Sequence, residues 1–152
     1  FLIQMIMPAP LRNFVLKFLS LFFLFYLPAF IKADEILLEN YLTDIEIANT
    51  FEERKNGLMN RAELMPNAGM FFIWDKKKIQ CMWMKNTSLE LNIAFISNQG
   101  EILEIFDMIP FSVESICSSR KVKYALEVNK NWFKENSINV GDKINLSFIN
   151  DQ

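Results

Sequence analysis

The chain has 152 residues, is 51% hydrophobic, carries a formal net charge of −2 and contains no histidine. That length holds one domain with enough apolar surface for a core. The absence of histidine excludes His-dependent catalytic triads and His-ligated metal sites within this chain.

Arg12 and Lys17 precede an uncharged apolar run over residues 18–31, and Ile31-Lys32-Ala33 places a small residue before Asp34. This layout predicts a secretory signal peptide over residues 1–33, cleaved after Ala33, and a periplasmic or secreted bacterial protein. The alternative is an uncleaved inner-membrane anchor over residues 14–31, with Lys17 snorkelling to the interface. Apart from this segment no membrane contact is expected. Loss of residues 1–33 removes Arg12, Lys17 and Lys32 from the 16 cations, leaving 13 against 18 acids and a net charge of −5. Such a balance argues against a nucleic-acid partner.

Residues 34–43 read as a linker, and residues 44–149 as a single domain. Asp44-Ile45-Glu46-Ile47-Ala48 alternates with period two and predicts a half-buried strand. Thr50-Phe51-Glu52-Glu53 reads as a capping box, so a short helix is expected from Phe51 to Asn56, closed by Gly57. Pro66-Asn67-Ala68-Gly69 is a turn. Met70 to Trp74 and Ile79 to Met84 are both apolar runs, joined by Asp75-Lys76-Lys77-Lys78, and are expected to form a hairpin buried on both sides.

A second hairpin is predicted from Leu91–Ser97 and Glu101–Met108 around Asn98-Gln99-Gly100. Residues 110–120 read as a polar loop containing Cys117. Along the next strand Val122, Tyr124, Leu126 and Val128 share one face, and Glu127 points away from it. A short helix is expected over Asn131 to Ser137, then a turn at Gly141-Asp142 and a last strand over Lys143 to Phe148. The expected fold is α+β, mainly β: about seven short strands in a closed or nearly closed barrel-like sheet, with two short helices. Cys81 and Cys117 either form a disulfide or stand as a small buried residue and a loop thiol.

Gly57-Leu58-Met59-x-Arg61, Gly69-Met70-Phe71-Phe72, Trp83-Met84-Lys85-Asn86-Thr87 with Ile93-Ala94-Phe95-Ile96, and Tyr124-x-Leu126-Glu127-Val128-Asn129 with Val140-Gly141-Asp142 follow one another in order. Over residues 44–148 these blocks resemble the family called domain of unknown function 192. The resemblance implies a small, mostly β domain, often behind an export signal, with no established activity. Asn92 stands where the family usually has Asp, and Asn131 where it often has Gly. Any role of that Asp as base or ligand is therefore lost here.

The candidate binding residues are Arg61, Trp83, Lys85, Asn86, Thr87 and Glu127. Trp83 offers a stacking face, and the cations and amide can grip a small anionic or sugar-like ligand. The competing structural assignment has Asn86 and Thr87 satisfying loop backbone and Lys85 neutralising Glu104, Asp107 or Glu127. The expected function is a non-catalytic small-ligand-binding or accessory module of the cell envelope, without a cofactor. Two alternatives are a carboxylate-dependent hydrolase of envelope sugars built on Glu104, Asp107 and Glu127, and a Cu(I)-handling protein using Cys81, Met82 and Met84.

Overall fold

The computed structural model describes residues 34–151; the expected signal peptide or anchor lies outside them. In chain order the elements are β1 (Asp44–Ala48), α1 (Phe51–Asn56), β2 (Ala68–Lys78), β3 (Cys81–Met82), β4 (Leu91–Ile96), β5 (Ile102–Met108), β6 (Ile116–Cys117), β7 (Val122–Asn129) and α2 (Trp132–Glu135). The first, second, seventh, fourth and fifth strands form one sheet in the order β1-β2-β7-β4-β5, and β3 pairs with β6 in a separate two-stranded sheet. The domain is mainly β with two short helices, as expected.

The N-terminal part forms by local rules. Thr50 Oγ1 accepts from the Glu53 N–H at 3.2 Å, and the Glu53 carboxylate accepts from the Thr50 N–H at 2.9 Å, so two orphan donors of α1 are satisfied reciprocally. Those hydrogen bonds hold the Glu53 carboxyl below its usual range. Gly57, at φ +47°, ends the helix in a conformation disfavoured for residues with a Cβ. The connection through α1 lets β1 run parallel to β2 along the sheet edge.

β4 is buried along its whole length, and β7 over all but its second and last residues, because the sheet is covered on both faces. One face carries Phe71, Ala94, Ile96, Leu126 and Val128 under Trp132 and Phe133 of α2. The opposite face carries Met70, Phe72, Ile93, Phe95 and Ala125 under Leu58 and Met84. A fully buried side chain of this size contributes roughly 1.5–3 kcal/mol. Tyr124, Leu126 and Val128 share one face as expected, whereas Val122 packs in the cluster of the opposite face, and Glu127 points into that second apolar layer.

Three expected elements change. The hairpin of residues 70–84 does not form: β2 runs unbroken to Lys78, with Lys78 opposite Val122 of β7, and β3 leaves to pair with β6. Asp75 to Lys78 lie exposed at the strand's end, where both faces meet solvent and charge carries no burial cost. β6 itself lies in the stretch read as a polar loop. The last strand is reduced to bridges at Lys143 and Ile144, because the Asn145 side chain accepts from Ser147 N–H at 2.8 Å and turns the chain into a 3₁₀ helix over Ser147–Asp151.

The barrel does not close. Beyond β5 the backbone pairing continues through Ile144 N–H to Gly100 O (2.9 Å) and Ile36 N–H to Lys143 O (2.7 Å). Among the described residues it stops there, and β1 is an edge of an open sheet. Gly100 sits at φ +87°, and a Cβ there would meet the Ile144 carbonyl oxygen at 2.2 Å. Residues 34–43, expected as a linker, supply Leu38 and Leu42 to the core.

Candidate functional site

Glu127 defines the site. Its strand neighbours in register are Met70 on β2 and Ile93 on β4, both apolar, and the residue is 4% exposed. Among the described residues no side chain or backbone group hydrogen-bonds or ion-pairs with its carboxyl. Burial alone pushes the group up to about 8 from its ordinary 4.5. A buried carboxyl without a partner costs several kcal/mol when ionised, so it stays protonated through neutral pH.

The carboxyl borders a cavity of about 330 Å³ roofed by α1, the turn after it and the segment 81–87. Its walls are apolar and soft: Phe72 and Trp74 stack at 6.1 Å, and Met59, Met82 and Met84 supply thioethers. Arg54 and Lys55 of α1 stand at the rim. Arg54 donates to the Ile73 carbonyl at 2.8 Å and to the Asn49 carbonyl, which ties α1 to β2.

Trp83, Thr87 and Glu127 line this cavity. Arg61, Lys85 and Asn86 do not. Arg61 forms a bidentate pair with Glu46 on edge strand β1, with Nη2 to Oε2 at 2.7 Å, which holds the Glu46 carboxyl below its usual range. Lys85 is exposed, its Nζ 5.3 Å from the centre of the Trp83 ring. Asn86, at φ +56°, is the third residue of a turn closed by Thr87 N–H to Met84 O at 3.0 Å; Asn suits that left-handed position. The Thr87 hydroxyl donates to the Lys85 carbonyl at 3.3 Å. For Asn86 and Thr87 the loop-closing role is therefore visible, whereas Lys85 pairs with no carboxylate among the described residues.

The three acids of the hydrolase alternative do not converge. Asp107 opposes Asn92, whose β7 partner is Val128, so it lies on the other sheet face from Glu127. Glu104 shares the face, but it stands two strands and two residues away, roughly 12 Å between Cα atoms. Its carboxylate accepts from Ser119 N–H at 2.9 Å. Cys81 and Cys117, register partners across β3 and β6, are joined in a disulfide, which removes the thiolate that a Cu(I) site would use. Trp74, Met59 and the rim cations were not singled out from the sequence, because their meeting depends on how segment 81–87 folds over β2.

Asn92 and Asn131, the two departures from the family pattern, touch. Asn92 Oδ1 accepts from the Asn131 N–H at 2.6 Å, and its Nδ2 donates to Asp107 Oδ1 at 2.5 Å. Asn131 holds φ +69°, a conformation glycine adopts at no steric cost.

Two solved structures share the fold. One, from Sinorhizobium meliloti 1021 and described as a proposed transcription regulator, is 36% identical, with a TM-score of 0.64 over 65% of this chain and 78% of that one. Another, a protein of unknown function from Novosphingobium aromaticivorans DSM 12444, is 29% identical, with a TM-score of 0.63 over 65% of this chain and 71% of that one. No curated protein matches. The family model described as "Uncharacterized ACR" matches residues 35–146, and the chain belongs to that family, DUF192.

Proposed function

We propose that the domain is a non-catalytic binding module of the cell envelope, and that the cavity over Glu127 takes a small ligand. The observation that carries this reading is a buried carboxyl, without a partner among the described residues, facing an accessible, aromatic-walled cavity. A group so placed loses stability for the fold, and a ligand that hydrogen-bonds to it recovers part of that loss. The sugar-like ligand weighed from the sequence has the aromatic faces and the protonated acid in its favour. The anionic ligand weighed from the sequence has only the rim cations in its favour. Export rests on the N-terminal charge and hydropathy layout, and the Cys81–Cys117 disulfide accords with an oxidising compartment.

A thermal-shift screen of the purified full chain against mono- and disaccharides, amino acids, amines and carboxylates tests the reading. At least one class should raise Tm saturably, and Trp83→Ala should weaken that response about tenfold while leaving the unliganded protein folded. A panel without any saturable shift removes the binding function.

A further inference from the structure

The chemistry around Glu127 narrows the ligand class. A hard metal ion needs several oxygen ligands, and Glu127 is the sole acid among the lining residues. No group of three His, Cys, Asp or Glu residues is placed to hold a metal among the described residues. A neutral polyol meets one protonated carboxyl, the Thr87 and Asn56 side chains and the rim cations Arg54 and Lys55, against walls that are mainly aromatic rings, thioethers and Leu58. An organic ammonium ion meets what the cavity offers. Its charge finds a buried carboxyl, beside which ion pairing is strong, and the Trp74 ring attracts cations, whereas the Phe51 and Trp83 rings already carry Lys55 and Lys85. The methionines adapt to an apolar body of variable shape.

We propose that the cavity binds a small organic amine, its ammonium group on the Glu127 carboxyl and its apolar body against Trp74, Trp83, Met82 and Met84; this rests on reading the cavity as a ligand site. The rim cations Arg54 and Lys55 oppose a second positive charge on the ligand and favour a carboxylate at its outer end. A monoamine or a zwitterionic amino acid therefore fits, and a diamine does not.

The proposal carries a proton linkage. Burial places the Glu127 carboxyl at about 8, so near neutral pH the free site holds a proton that the ammonium ion must displace. Binding converts the carboxylic acid and the ammonium ion into an ion pair and releases one proton to solvent. Apparent affinity then rises about tenfold per pH unit below that value and levels off above it, until the amine itself deprotonates. Arg54 and Lys55 of α1 are the other charged groups on the cavity. From β2, β3, β4 and β7, the faces against Glu127 are uncharged, and Cys81 is in the disulfide.

Calorimetric titration of the full chain with phenethylamine, phenylalanine, 2-phenylethanol and glucose, in two buffers of different ionisation heat at pH 6.5, tests this. The expected result is phenethylamine or phenylalanine binding at least tenfold tighter than the alcohol, with close to one proton released. Tighter binding of phenylalanine supports the pairing and assigns its carboxylate to Arg54 and Lys55. Glu127→Gln, with its fold checked by thermal unfolding, should bind amine and alcohol alike. Equal binding of amine and alcohol by the wild type, no proton release, or an unchanged Glu127→Gln preference overturns the amine assignment. Binding of glucose without binding of either amine also overturns it, yet leaves the small-ligand reading standing. Silence from all four probes and from the wider thermal-shift panel ends both.

Discussion

Glu127 penalises the fold as pH rises, and its titration makes that penalty measurable. Its folded-state value, about 8, lies above the unfolded 4.5, so the native state holds a proton that the unfolded chain releases over this interval. The stability it contributes is complete below about pH 4.5, declines as pH rises and is exhausted above about pH 8. Between pH 4.5 and 7 the loss is on the order of 3 kcal/mol. Glu127→Gln should flatten urea-denaturation stability across this window and make the protein more stable than wild type at pH 8; an unchanged slope would show that Glu127 does not titrate there. The alternation of Tyr124, Leu126 and Val128 places Glu127 on the other face from the sequence alone, although Val122, expected on the same face as those three, packs in the opposite cluster. That the other face is also buried does not follow from alternation, because the second layer comes from residues far away in sequence. At Asn92, substitution by the family's Asp would remove the amide donor and set a carboxylate against Asp107 at hydrogen-bond distance. Asn92→Asp should cost roughly 1–3 kcal/mol at pH 7, and Asp107→Asn in the same chain should restore most of it.

At the scale of elements, β3 and β6 show how two residues each can persist as a sheet. Two-stranded pairs of this length are not stable alone. The disulfide closes a 36-residue separation, which by chain entropy is worth about 4 kcal/mol. The same segment carries Met82, Trp83 and Met84 into the cavity wall. Cys81→Ser with Cys117→Ser should therefore lower stability by about that amount and shift the Trp emission to the red as the wall loosens. A loss below about 1 kcal/mol would show that packing alone holds the pair. The hairpin expected at residues 70–84 failed for a related reason. Asp75-Lys76-Lys77-Lys78 resembles a turn by composition, but a strand end exposed on both faces accepts charges equally well. By contrast the α1 capping box and the Asn98-Gln99-Gly100 reversal were legible, since both depend on residues within a few positions of one another.

For the whole molecule, the open sheet order β1-β2-β7-β4-β5 puts the C-terminal strand β7 at the centre, between strands from both halves of the chain. The cavity lies on one face of that centre, and α2 with the terminal turns covers the other. The solved neighbour described as a proposed transcription regulator invites a test for nucleic-acid binding. The two α-helices of the described residues have six and four residues, too short for a recognition helix, and the domain carries a net charge of −5 after residue 33. No salt-dependent retention of duplex DNA is expected in a mobility-shift assay at 50 mM salt; retention that falls steeply by 200 mM would contradict the envelope reading.

The sequence by itself determined the family, the mainly β class, the first helix with its caps, the central hairpin and the alternation along β7 from Tyr124 to Val128. Each rests on short-range periodicity, on local side-chain-to-backbone hydrogen bonding, or on ordered motif blocks. Only the tertiary structure decided that the sheet stays open, that Cys81 meets Cys117, that Arg61 is taken by Glu46, and that Glu127 faces a cavity without a partner among the described residues. Burial and pairing are relations between distant segments, and one residue's environment is set by whichever layer is folded over it.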